Sequence, residues 1–373
     1  MKRPGLQHVS PEHLPLGDGR FVQLARMLGR GAVSTVFRGL LSGLGGLDRP
    51  VAVKLFAPAA SDERDSVNAS IHATLRSAAR VHHPNVVGIF DFSVFGAQPF
   101  AVAELVDGTT LDQLVTVLAE RGSRLPLDIA LFVAVEVVEA LHGARVARDL
   151  TSGRAVGVAH HGLTPREVLL SRHGEVKVTD FGMSLVRGAT SGVRDFASLA
   201  RRARWMSPEV ARGEGGDERS DVFSAGVLLR ELLVAPRFDA RLPASEAIGL
   251  AREGFVQPLT FQPQLPELLQ PILRRALEVD PAQRYPNATA MLFDLRRAAL
   301  ALGVGDARFF LRRHLEQEAR DAFEDTTVQT EIDDVDEIEV PSSQDLETIE
   351  DDDEAEVVDL EARRRALRGG ARG

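Results

Sequence analysis

Apolar residues alternate with polar ones through the first hundred positions and recur at helical spacing thereafter. That change of period divides the chain near residue 108. A strand is predicted from Phe21 into the glycine turn Leu28-Gly29-Arg30-Gly31. Val33, Thr35, Val36 and Phe37 form its return strand, giving a hairpin. A glycine-rich loop over 39–46 leads to a third strand at 50–56. Ser61 then opens a helix with Asp62 and Glu63 in its first turn, the place where carboxylates suit a helix start. That helix ends before His83-Pro84, and strands follow at 86–92 and 99–104.

Beyond residue 108 the period predicts helices near 110–120, 127–146, 218–234, 263–278 and 287–301, with a further amphipathic helix over 303–323. A short hairpin at 168–170 and 175–179 flanks the turn Arg172-His173-Gly174. The expected layout is a flexible leader (1–18), a sheet-rich lobe (19–108), a helical lobe (109–302), the extra helix (303–323) and a tail (324–373). The fold class is α+β.

Composition changes this picture at one end only. The formal charge of −10 is concentrated in a tail: residues 324–361 hold 18 acidic and no basic side chains, and five arginines follow. The tail is expected to be disordered, because it cannot bury enough apolar surface to offset chain entropy. The globular part is close to neutral and carries no nucleic-acid footprint. With 44% apolar residues and no cysteine, the chain can build a large core without disulfides, as suits a reducing cytosol. No apolar run reaches ~18 residues, and Met1-Lys2-Arg3-Pro4-Gly5 lacks the apolar segment of a signal peptide, so a cytoplasmic protein without a membrane span is expected.

The candidate chemistry is distributed but ordered. It comprises the glycine hairpin, Val51-Ala52-Val53-Lys54, the first helix, His83-Pro84-Asn85 and the segment 100–108. There follow His160-His161-Gly162 with Glu167, Asp180-Phe181-Gly182, Met206-Ser207-Pro208-Glu209, Ser220-Asp221 and Pro281-Ala282-Gln283-Arg284. Each motif alone is weak. Their order and spacing resemble the bacterial, eukaryotic-like Ser/Thr protein kinases over roughly residues 20–300.

The resemblance implies a bilobal kinase fold, with a five-stranded antiparallel sheet in the small lobe, and roles for individual residues. Gly29 and Gly31 would approach phosphates, while Val36, Ala52 and Leu169 would sandwich an adenine. Glu104 and Val106 would offer hinge hydrogen bonds beside the small Ala103. Lys54 would hold the α- and β-phosphates, and Asp180 would hold Mg²⁺. Glu209 and Arg284 would form a buried ion pair, and Asp221 would cap the catalytic loop. Thr190, Ser191 and Ser198, near Arg194, Arg201, Arg202 and Arg204, would be phosphoacceptors of an activation segment.

The chain departs from the family pattern where the chemistry is concentrated. Gly162 stands at the position of the catalytic aspartate, Glu167 at that of the metal-binding asparagine, and Thr164 at that of a phosphate-steadying lysine. Arg148-Asp149-Leu150 imitates the missing motif but lies too far from Asp180. In the first helix the glutamate that should pair with Lys54 falls at Thr74, so Lys54 is expected to turn to Asp180. Glu167 as a metal ligand and His161 as an unconventional base stay open.

These departures favour a pseudokinase, a nucleotide- or partner-binding regulator in bacterial phosphosignalling with weak ATP and Mg binding. The alternative is a Ser/Thr protein kinase of low or atypical activity acting on protein hydroxyls. A third reading is a nucleotide-free scaffold for protein partners.

Overall fold

The computed structural model describes residues 13–17, 19–31, 34–43, 46–57, 64–184, 199–239, 241–256, 265–305 and 307–325. The expected phosphoacceptors Thr190, Ser191 and Ser198, and the acidic tail from residue 326 onward, lie outside them.

Six strands build the small lobe: β1 His13–Gly17, β2 Arg20–Arg30, β3 Ser34–Ser42, β4 Asp48–Phe56, β5 Ile89–Phe95 and β6 Gln98–Glu104. They form one antiparallel sheet in the order β1-β2-β3-β4-β6-β5. Side chains alternate across its two faces, as strand geometry requires. Val51, Val53, Phe100 and Val102 are fully buried on one face with Leu14 and Val22. Phe56 and Ala101 face the other way, onto Val67, Ile71 and Leu75 of helix α1, Arg64–Ala78.

The structure corrects two expectations, a flexible leader reaching residue 18 and a sheet of five strands. Residues 13–17 instead add a sixth strand at the edge. Leu14 is 1% exposed in the apolar cluster, and an edge strand tolerates Pro15 because a proline needs no ladder donor there. Ser93 Oγ donates to the Pro15 carbonyl at 3.4 Å, and Arg20 pairs with Asp91 at 2.9 Å, so the two sheet edges approach each other. The strand expected over 86–92 lies three residues later. Its first residues are engaged elsewhere: Val178 N donates to Asn85 O at 2.7 Å, and Val87 N to Val178 O at 3.0 Å.

The large lobe contains α2 Leu111–Glu120, α3 Leu127–Val146, α4 Pro208–Arg212, α5 Glu218–Leu233, α6 Ala244–Glu253, α7 Gln270–Ala276, α8 Ala288–Ala301 and α9 Ala307–Asp325. Strands β7 Gly108–Thr110, β8 Val168–Ser171 and β9 Val176–Val178 form a small second sheet. A capping box between Thr110 and Gln113 starts α2, and a second between Asp217 and Ser220 starts α5. Helix α5 is buried from Ser220 to Arg230, which makes it the centre of the lobe's core. The helix expected over 263–278 is shorter, because Pro266 and Pro271 break the pattern. A 3-10 turn, Glu267–Leu269, precedes α7. Among the described residues no helix is long and apolar enough to cross a membrane.

Candidate functional site

Sheet register aligns one wall of a cleft. Val36 pairs with Lys54, Gly29 with Val36, and Ala52 with Ala103. Val36, Ala52, Lys54 and Ala103 therefore share a face, opposite the buried Val51 and Val53. On the other wall Leu169 is half-buried between the fully buried Val168 and Leu170. The Gly31 amide donates to Ser34 O at 2.7 Å, closing the glycine turn. Glu104 N donates to Gly88 O at 2.8 Å. The Glu104 carboxylate pairs with Lys177 at 2.8 Å and accepts from Gly88 N at 3.2 Å. Val106 is half-buried immediately beyond.

Lys54 Nζ lies 2.6 Å from each carboxylate oxygen of Asp180, with the two side chains 14% and 17% exposed. This is the partner expected from the position of Thr74. Helix α1 does bring Thr74 to the Asp180-Phe181-Gly182 turn: a Cβ on Gly182 would lie 3.1 Å from Thr74 Cγ2. Thr74 has no carboxylate, so the charge on Lys54 is met across the cleft. Asp180 holds a left-handed backbone at φ 66°, which is uncommon outside glycine and marks a position fixed by its surroundings.

The loop carrying His160, His161 and Gly162 is held firmly. Asp221 accepts from His160 N at 2.6 Å and from His161 N at 2.8 Å. Burial pushes its carboxyl up to about 7, against the opposing pull of these two amides. The His160 ring stacks on Phe181 with centroids 4.7 Å apart, and its Nε2 donates to Thr179 O at 2.9 Å. His161 also takes a left-handed backbone, at φ 62°. Burial lowers its pKa, which favours a neutral imidazole near pH 7.

Gly162 places no carboxylate at its own position in the loop. Its neighbourhood is filled from the far side, by residues not singled out in the sequence for this role. A Cβ there would stand 3.1 Å from Ser184 Cβ and 3.5 Å from Arg202 Nη1. Ser184 Oγ donates to His161 O at 2.7 Å, which fixes it against the loop. The glycine itself was the sequence signal that this space is used differently, but the occupants come from short helical stretches beyond Phe181.

Glu167 is 7% exposed and closes a capping box. Its Oε2 accepts from Thr164 N at 3.0 Å and from Thr164 Oγ1 at 2.5 Å. Among the described residues, no three His, Asp or Glu side chains cluster as a metal site. The imitation motif at Arg148-Asp149 is a surface turn: Asp149 accepts from the amides of Thr151 and Ser152 and pairs with Arg80 at 3.3 Å.

Below the loop, Arg284 is fully buried and binds both oxygens of Glu209, at 2.7 and 2.8 Å. Burial alone would raise the Glu209 carboxyl. The hydrogen bonds from Arg284 and Ser220 outweigh it and hold the carboxyl at about 2. This pair ties α4 to the core.

The family model of the protein tyrosine and serine/threonine kinases matches residues 22–294. The chain belongs to this protein kinase family. It is 34% identical over 284 residues to the probable serine/threonine-protein kinase SCO3848 of Streptomyces coelicolor, covering 74% of this chain and 39% of that protein. It is 33% identical to the serine/threonine-protein kinase PknL of Mycobacterium bovis, over 80% of this chain and 70% of that one. The kinase domain of Mycobacterium tuberculosis PknI superposes with a TM-score of 0.54 at 23% identity, covering 74% of this chain and 95% of that one, and shows the same fold. The chain spans about two fifths of the length of several curated relatives. The relatives' names fit the kinase alternative better than the pseudokinase reading.

Proposed function

We propose that this chain binds ATP between its lobes and acts with protein partners as a Ser/Thr protein kinase of low activity. The observation that carries the reading is the convergence of Lys54 and Asp180 at 2.6 Å, from two lobes of the chain. Lys54 would hold phosphate oxygens, and Gly29 and Gly31 would let the backbone approach them. Val36, Ala52 and Leu169 would enclose the base, with hydrogen bonds from the backbone at Glu104 and Val106. Asp180 would hold Mg²⁺. A lone carboxylate suits that ion, which takes one or two carboxylates and completes its shell with phosphate oxygens and water. When bound, the ion neutralises charge that develops on the transferred phosphoryl group.

Phosphoryl transfer would lack a positioned base, because Gly162 has no side chain. That loss slows a reaction by roughly 10²–10⁴. A neutral His161 is the nearest titratable group on the loop. The same glycine favours the second reading, a pseudokinase that binds nucleotide and transfers nothing.

One pair of assays decides among these. Saturating ATP and Mg²⁺ should stabilise the chain by about 2.7 kcal/mol at a hundredfold excess over Kd. Incorporation of labelled γ-phosphate into a protein hydroxyl should be slow and should vanish in Lys54→Met. A thermal shift without incorporation selects the pseudokinase. No shift with millimolar ATP leaves the nucleotide-free scaffold.

A further inference from the structure

Helix α9 lies entirely beyond residues 22–294, the part matched by the family model. It is nevertheless docked. Ala307 and Leu311 are 1% and 0% exposed, and Leu315 is 9% exposed. Its first turn presses on the turn between β8 and β9. Gly174 there has φ +77°, and a Cβ on it would overlap the Arg308 carbonyl, so the helix meets bare backbone. Arg308 Nη2 also pairs with Glu175 at 3.1 Å.

The contacted turn is stiff. Ser171 N donates to Glu175 O and Gly174 N to Ser171 O, both at 2.8 Å. The buried Ser171 Oγ accepts from the amides of His173 and Glu175, at 3.2 and 3.1 Å. The same turn grips the hinge: Arg172 N donates to Asp107 O at 2.9 Å, and Arg172 Nε pairs with Asp107 at 2.9 Å. One strand further, Lys177 holds Glu104 at 2.8 Å. Displacing the turn should therefore move the hinge and Leu169, since β7, β8 and β9 form one small hydrogen-bonded sheet and Arg172 ties its turn to Asp107.

We propose that α9 positions the nucleotide hinge, through Arg308 and the β8–β9 turn, and so sets the affinity of the cleft for ATP. The affinity half of this inference rests on the proposed ATP site. The hinge half does not.

Two variants of the full chain test it from opposite sides. Gly174→Ala pushes the first turn of α9 away from the hairpin without touching the core. Leu311→Ala loosens the helix at its buried apolar face, one turn beyond Arg308. Both should speed hydrogen exchange at the Arg172 amide and across β7. Both should also weaken ATP binding about fivefold well below the melting temperature, the low end of coupling between distinct sites. Gly153→Ala is the control. It introduces the same left-handed strain at a turn with nothing within 4 Å, and it should change neither. Faster exchange confined to 173–175 and α9, with the Arg172 amide and β7 at wild-type rates, overturns the proposal. Unchanged ATP affinity alongside a loosened hinge overturns its affinity half. A wild-type chain that ignores ATP refutes the ATP site, and the exchange data alone then decide the hinge coupling.

Discussion

Glu209→Gln removes one charge from the buried pair with Arg284 and keeps its size. Arg284 would then sit fully buried and bonded only to neutral oxygens, the backbone carbonyls of Arg219, Glu278 and Val279 and the one amide oxygen left at position 209. Stranding a buried charge this way costs about 3–5 kcal/mol. The pH dependence gives an independent measure. Glu209 falls from an ordinary 4.5 to about 2 in the folded chain. At 1.36 kcal/mol per unit, that is about 3 kcal/mol of stability. The folded pKa is depressed, so the contribution is complete above about pH 5 and is lost as pH falls toward about 2. By pH 3.5 it should have dropped by roughly 1.4 kcal/mol, through protonation of the unfolded chain. Urea unfolding of wild type and Glu209→Gln at pH 7 and pH 3.5 measures the difference, in which all other carboxyls cancel. The gap should narrow by about that amount. A gap of the same size at both pH values would refute the claim that Arg284 holds Glu209 ionised.

Gly162→Asp should restore incorporation of phosphate poorly by itself, because its Cβ meets Ser184 at 3.1 Å. Adding Ser184→Gly should raise the rate at least tenfold over Gly162→Asp in a radiolabel assay, toward the ~10²–10⁴ expected of a base. Leu14→Ala should cost about 2–5 kcal/mol in urea unfolding, a loss no leader residue would show.

The helices of the large lobe were legible because their apolar stripes are long; the structure adds the caps at Thr110 and Asp217 that start two of them. Strand β1 was not. His13–Gly17 is five residues with a central proline. What holds it in the sheet is Leu14, clustered with Val22, Val51, Val53, Phe100 and Val102, and most of those contacts are distant in sequence. The site divides the same way. Lys54 and Asp180 are 126 residues apart, yet their pairing could be foreseen, because the helix register left Lys54 facing Thr74. Ser184 and Arg202 beside Gly162 could not be, since their approach is set by tertiary packing and leaves no periodic signal.

Lys54 and Asp180 are each the other's counter-charge, and each is also the group that would meet ATP or its metal. Phosphate binding to Lys54 without Mg²⁺ would leave Asp180 facing a polyanion. At an effective dielectric of about 20, two unit charges 4 Å apart interact by about 4 kcal/mol, so even a well-screened remnant amounts to a tenfold change in affinity. Mg²⁺ should therefore tighten ATP binding by about tenfold or more in the wild type. Asp180→Asn removes both the competitor for Lys54 and the repelling charge. It should bind ATP more tightly than wild type in EDTA and gain little from Mg²⁺. Calorimetric titration with and without the metal reads both effects. An Asp180→Asn chain that still gains as much from Mg²⁺ as the wild type would show that the metal is held elsewhere, and Glu167, for all its hydrogen bonds to Thr164, would be the first residue to change next.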